Sequence, residues 1–184
     1  MPGDFGVIIE PIKTVKTDTY RDSILQMNLH TGTHIDTPAH MKETGKKLQD
    51  FLIEDFILPA GIITHTMIKN NETKHLKGVK ALIIPTGHDE CFNTPRYYQH
   101  YPLLPKEIIA IIQDLNIKMI ILDTPSPDAA PYPIHHALFD RGLCIVENAK
   151  DLTTLPKDKA ITIHAIPLLT GKDASPIRLF AKIS

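Results

Sequence analysis

Three histidines and one aspartate fall within eleven residues, His30-Thr31-Gly32-Thr33-His34-Ile35-Asp36-Thr37-Pro38-Ala39-His40. Imidazole nitrogens and carboxylate oxygens suit zinc, manganese or iron(II), and three protein ligands would leave positions open for water, the mark of a catalytic metal site. Gly32 and Pro38 argue against a helix, leaving a strand end that runs into a loop. In extended backbone the even-numbered residues share a face, so His30, His34 and Asp36 can converge. The competing reading is that each histidine is a half-buried, hydrogen-bonded strand residue, the ordinary state of an isolated His. Four ligand-type side chains on so short a stretch favour the metal.

A second cluster begins at His135-His136 and continues through Gly142 to the apolar run Leu143-Cys144-Ile145-Val146, followed by Glu147 and Asn148. A carboxylate at the mouth of a buried strand is costly unless it is paired, hydrogen-bonded or bound to a cation. Glu147 therefore needs a partner, or else it opens a solvated turn with Asn148. Ser126 precedes a proline and lacks a GxSxG elbow, so it is no nucleophile. Asp123 and Asp128 read as turn formers. His65 and His164 read as core histidines inside strands, His75 as a solvated one, and Tyr97, Tyr98 and Tyr101 as core aromatics that could also form a substrate or subunit wall. Cys91 and Cys144 form no CxxC pair and read as reduced cysteines.

Positioning these groups falls to short apolar runs rich in β-branched residues at 6–9, 24–28, 61–67, 81–84, 118–122, 143–146, 160–166 and 177–183, which read as strands. Helices are expected at 106–115, opened by Pro105, and at 134–141, stopped by Gly142. Segments 37–50 and 86–105 show little periodicity and read as long loops, a usual home for function. The pattern is an α/β or α+β fold, a mixed sheet with few helices. With 184 residues and no linker or repeat, one domain over 1–184 is expected. Twenty basic against 21 acidic side chains leave a net charge of -1, too balanced for a nucleic-acid or acidic-membrane binder. Met1-Pro2-Gly3-Asp4 lacks the features of a signal peptide and no run suits a membrane span, so a cytoplasmic protein is expected.

HTGTHIDTPAH resembles the HxGTHxDxPxH signature of the cyclase family of metal-dependent hydrolases, of which kynurenine formamidase is a familiar member. Asp123-Thr124-Pro125-Ser126-Pro127-Asp128 is similar to that family's DTPSxD loop, the run from His135 to Glu147-Asn148 to its H…GxxIxEN segment, and Ser175-Pro176-Ile177-Arg178 to its SPxR close. The resemblance implies a swivelling β/β/α domain and a homodimer or homotetramer with sites near the subunit interface. It also implies up to two divalent ions per chain, zinc or alternatively manganese. His30 and His34 would hold one metal, Asp36 would bridge to a second, His135 would bind the second and Glu147 would contact both. His40 would be the acid/base, His136 a packing or supporting residue, and His88 either a pocket residue or a solvated one. The implied activity is hydrolysis of an amide, formamide or cyclic ester or imide bond in a small molecule. A non-catalytic metal-dependent binding protein of the same fold is the alternative. The family's N-terminal aromatic contact, a tryptophan in the kynurenine formamidases, has no counterpart before His30, and the chain contains no Trp. N-formylkynurenine is therefore expected to be a poor substrate unless a tyrosine replaces that wall.

Overall fold

Runs such as Ala81–Ile84 carry an apolar residue at every position, which suits a strand covered on both faces rather than one with a wet side. A computed structural model, which describes residues 6–184, bears this out. Strands β1 (Ile8–Lys13) and β2 (Asp22–Gln26) form an antiparallel hairpin around the short helix α1 (Val15–Asp18). The main sheet is built from β3 (His34–Asp36), β4 (Ile57–Ile62), β5 (Ala81–Ile84), β6 (Met119–Leu122), β7 (Cys144–Glu147), β8 (Ile161–His164), β9 (Ala174–Pro176) and β10 (Phe180–Ile183). Its order is β10-β8-β4-β5-β6-β7-β3-β9. Strands β4, β5, β6 and β7 run parallel to one another, and the pairs β10–β8, β8–β4, β7–β3 and β3–β9 are antiparallel. The expected mixed sheet with few helices is thus the observed fold.

Alternation along the parallel strands divides the core into two layers. Ala81, Ile83, Met119, Ile121, Cys144 and Val146 face one cluster, closed by Leu48, Phe56 and Leu152 from irregular segments. Leu82, Ile84, Ile120, Leu122 and Ile145 face the other. That second layer is roofed by α2 (His65–Lys69), α4 (Ile108–Leu115) and α5 (Pro133–Phe139), which contribute Ile68, Ile108, Ile111, Ile112, Leu138 and Phe139. Each such side chain contributes about 1.5–3 kcal/mol by leaving water, so the sheet is a rigid base for whatever its ends carry. Helix α4 stops at Asn116 in the left-handed region (φ 51°), and the turn after α5 uses Gly142 at φ 75°.

Several expectations need correction. The run at 61–67 is not one strand: β4 ends at Ile62, and Thr64 caps α2 by accepting from Met67 N (3.3 Å), so His65 opens a helix. Gly61 lets this corner close, since a Cβ there would meet Leu76 Cδ2 at 2.5 Å. Segment 86–105 contains a 3-10 turn at His88–Cys91 and a helix α3 (Pro95–Gln99), both too short to show a period. Segment 177–183 is strand only from Phe180, and β9 had no sequence signal. His75 is exposed, as expected, with its Nε2 2.9 Å from the Ile62 carbonyl. Residues Met1 to Asp4 lie outside the described residues. Among those described, no helix is long and apolar enough to cross a membrane.

Candidate active site and metal centre

Strand β3 lies between β7 and β9, with His34 opposite Glu147 and Asp36 opposite Ile145. The two-residue period turns Ile35 into the core and sends His34 and Asp36 out on the other face. The turn before β3, with Gly32 at φ 66°, folds His30 back over them, so that His30 Nδ1 lies 2.9 Å from Asp36 Oδ1. His34 Nδ1 is 2.9 Å from the Gly32 carbonyl, which can only accept, so Nδ1 carries a hydrogen and Nε2 faces Asp36 Oδ1 and Glu147 Oε2, each 3.5 Å away. The 3-10 turn Pro38–His40 delivers His40, its ring 4.3 Å from that of His30. Gly45 permits this turn, because a Cβ there would lie 2.4 Å from the Pro38 carbonyl carbon.

Helix α5 supplies His135, whose Nε2 is 3.3 Å from Glu147 Oε1. The six residues expected at the site from the sequence, His30, His34, Asp36, His40, His135 and Glu147, therefore meet at one pocket of about 610 Å³. His136, the next residue on the helix, is exposed and lies outside it.

His34 Nε2, Asp36 Oδ1 and Glu147 Oε1 are buried and have no hydrogen-bond partner among the described residues. His34, Asp36 and Glu147 can each offer one ligand atom with all three within 4.8 Å of one another, and the same is true of His30, Asp36 and His40. Burial opposes charge on His34, but Asp36 and Glu147 outweigh it and raise its pKa to about 9. His135 is likewise raised to about 9, with Asp128 and Glu147 overcoming its burial. Burial pushes Asp36 up, yet His30 and His34 hold it well below the ordinary carboxylate range. Glu147 is pushed up by its burial and by the charge of Asp36, against the pull of His135 and His34. The cluster is short of positive charge, and its imidazoles must take up protons to supply it. Orphaned nitrogen and oxygen donors around such a deficit fit a divalent cation.

Several contributors were not singled out by sequence. Asp173, next to β9, places Oδ2 3.1 Å from His40 Nδ1 and 3.3 Å from His30 Nε2. Phe92, Asn93 and Tyr132 line the pocket together with Tyr98 and Asn148. Asp128 is no mere turn former, for its carboxylate accepts from Ile134 N, His135 N and His135 Nδ1. Asp123 accepts from Thr86 N, Thr86 Oγ1 and Gly87 N, tying the ends of β5 and β6 together. Ser126 lies at the pocket with its hydroxyl spent on the Asp128 carbonyl (2.8 Å). His88 is neither solvated nor in the pocket: it is buried, stacked on Tyr97 and bonded to the Tyr97 carbonyl (3.0 Å). Tyr97 is a core residue, and its hydroxyl donates to Asn148 Oδ1 (2.9 Å).

A mixed sheet whose β3 presents a histidine and a carboxylate to a pocket shared with His135 and Glu147 defines a hydrolase of the cyclase type. The chain belongs to the Cyclase family, whose model, described as "Putative cyclase", matches residues 5–129. It is 35% identical to kynurenine formamidase of Bacillus mycoides over 164 residues, 84% of this chain and 76% of that protein. It is 33% identical to kynurenine formamidase of Bacillus cytotoxicus over 161 residues, 83% of this chain and 75% of the relative. Among solved structures, isatin hydrolase A from Labrenzia aggregata shares the fold with a TM-score of 0.79 at 21% identity, over 98% of this chain and 86% of that one. A "predicted metal-dependent hydrolase" from Bacillus stearothermophilus gives 0.76 at 22%, over 97% and 87%. These relatives mark the chain as a hydrolase.

Proposed function

We propose that residues 1–184 form one domain, a metal-dependent hydrolase that cleaves an amide, formamide or cyclic ester or imide bond of a small molecule. The observation that carries this reading is the trio of buried, partnerless donor atoms on His34, Asp36 and Glu147. His30 and His34 would hold one divalent ion, Asp36 would reach from it to a second, His135 would bind the second and Glu147 would contact both, the ions being zinc or alternatively manganese. A bound divalent ion supplies Lewis acidity and brings the pKa of water to about 7. The chain's own residues do the rest. His40 holds a proton beside the cluster and hands it to the leaving nitrogen or oxygen, a task suited to a group whose ordinary pKa is ~6.5. Phe92, Tyr98 and Tyr132 wall the pocket with aromatic surface and exclude water from one side of a bound molecule.

The aromatic lining revises the expectation of a lost aryl wall. Tyr98 is one of the tyrosines that could replace it, and Phe92 and Tyr132 add to it. Kynurenine formamidase and isatin hydrolase are names of relatives that fit such a pocket, so an aryl formamide or a cyclic aryl amide is the substrate class we favour. Metal analysis of the purified protein beside a hydrolysis screen of formamides, cyclic imides and lactones tests the reading. Zinc or manganese bound at one or two per chain, with turnover lost on chelation and the fold retained, is the expected result. A metal-replete preparation that binds none of these ions would sink it.

No nucleic-acid or membrane partner is proposed, and the cytoplasm is the proposed compartment. A homodimer or homotetramer is supported by the β1–β2 hairpin, which leaves Ile9, Ile12, Ile24 and Leu25 at least half exposed. Both faces of a two-stranded ribbon need cover to be stable in water, and a second copy of the chain would provide it.

A further inference from the structure

The residue that stands outside every sequence motif of the site, yet touches two of its histidines, is Asp173. We propose that Asp173 is a positioning residue that sets the tautomer and the ring orientation of His40. The inference rests on the reading of His40 as the acid/base.

One carboxylate oxygen, Oδ2, lies 3.1 Å from His40 Nδ1 and 3.3 Å from His30 Nε2. An ionised carboxylate only accepts, so each imidazole turns an N–H toward it. A neutral imidazole carries one N–H. Committing Nδ1–H of His40 to Asp173 leaves Nε2 as the nitrogen that exchanges a proton with substrate. The other His30 nitrogen, Nδ1, lies 2.9 Å from Asp36 Oδ1, so this ring links Asp173 to the carboxylate at the centre of the site.

The carboxylate is itself held in place. The Asp173 carbonyl accepts from both Thr37 N and Thr37 Oγ1, each at 2.8 Å, and Thr37 is buried. Thr37 lies between Asp36 and the turn that carries His40, so Asp173 is pinned to both halves of the site. These anchors use the backbone and survive a change of the side chain. Asp173 is also part exposed, at 32% of its side chain, so its substitution leaves no buried hole.

The test pairs nitrogen-15 spectroscopy of the histidine rings with kinetics, using Asp173→Ala, His40→Ala and the double variant. In the zinc-loaded wild type at alkaline pH, the signal assigned to His40 by its loss in His40→Ala should be that of the Nδ1–H tautomer. It should lose that character in Asp173→Ala. For hydrolysis, Asp173→Ala should lower kcat by about 10–100-fold with little change in KM, and should add nothing in the His40→Ala background. Asp173→Glu should restore part of the loss. An unchanged His40 signal in Asp173→Ala, or a full Asp173→Ala effect in the double variant, would overturn the proposal. If the wild type hydrolyses nothing in the screen, the hydrolase reading fails, while the tautomer signal still decides the role of Asp173.

Discussion

Asp128 Oδ1 and His135 Nδ1 lie 2.5 Å apart, while the other oxygen of the same carboxylate takes the backbone N–H groups of Ile134 and His135. One side chain thus caps the start of α5 and fixes which nitrogen of His135 is free. With Nδ1–H spoken for, Nε2 faces Glu147 Oε1 across 3.3 Å.

This pairing makes Asp128 a strong target. Asp128→Ala should weaken metal affinity by about 10–100-fold, as is usual when the partner of a ligating histidine is removed. It should also cost about 0.5–2 kcal/mol of stability through the lost cap. Competition with a chelator measures the first and thermal unfolding the second. Unchanged affinity would mean that His135 is no ligand.

Metal uptake should depend on pH with a definite sign. His34 and His135 have pKa values near 9 in the metal-free protein, against ~6.5 when unfolded. Their protonation stabilises the metal-free fold fully below about pH 6.5, and that contribution fades as pH rises through about 9. A cation competes with those protons, so affinity should climb from pH 6.5 to 9, and binding should release protons. Calorimetry in buffers of differing ionisation enthalpy reads the release directly. Affinity independent of pH over that range would contradict the assigned ligands.

His40→Ala should keep its metal and lose about 10²–10⁴-fold in kcat, the usual contribution of an acid/base group. Asp36→Asn should lose both metal and activity. Because His40 can share a ligand set with His30 and Asp36, metal analysis of His40→Ala separates the roles: a drop in bound metal would make His40 a ligand.

The aromatic wall should govern substrate choice. Aromatic pairing is worth about 0.5–1.5 kcal/mol beyond buried area, and 1.36 kcal/mol is tenfold in rate. Tyr98→Ala and Phe92→Ala should each lower kcat/KM for an aryl formamide by roughly 3- to 30-fold, while leaving a small aliphatic amide little changed. Equal losses on both substrates would show that these rings support the fold instead of reading the substrate.

The histidines and carboxylates of the site were legible because they crowd two short stretches, and the parallel strands because their apolar runs are unbroken. Asp173 was not, for its approach to His40 spans 133 positions of chain and depends on β9, three residues long and without periodicity. His65 misled for a local reason, since the Thr64 cap turns an apolar run from strand into helix within one residue. The pocket aromatics Phe92, in a turn, and Tyr132, at the N-cap of α5, lie where side-chain direction follows from backbone angles such as the positive φ of Tyr132 (62°) and from no repeating pattern.

Strand β3 is three residues long and pairs on both sides, with Ile35 facing the core and His34 and Asp36 facing the pocket. A slip of one position would turn His34 and Asp36 into the apolar core and Ile35 into the polar pocket. Core closure and site assembly are thus a single event at this strand: the register that seats Ile35 is the one that presents His34 and Asp36, and a slipped chain would place polar groups against apolar side chains that cannot pair with them.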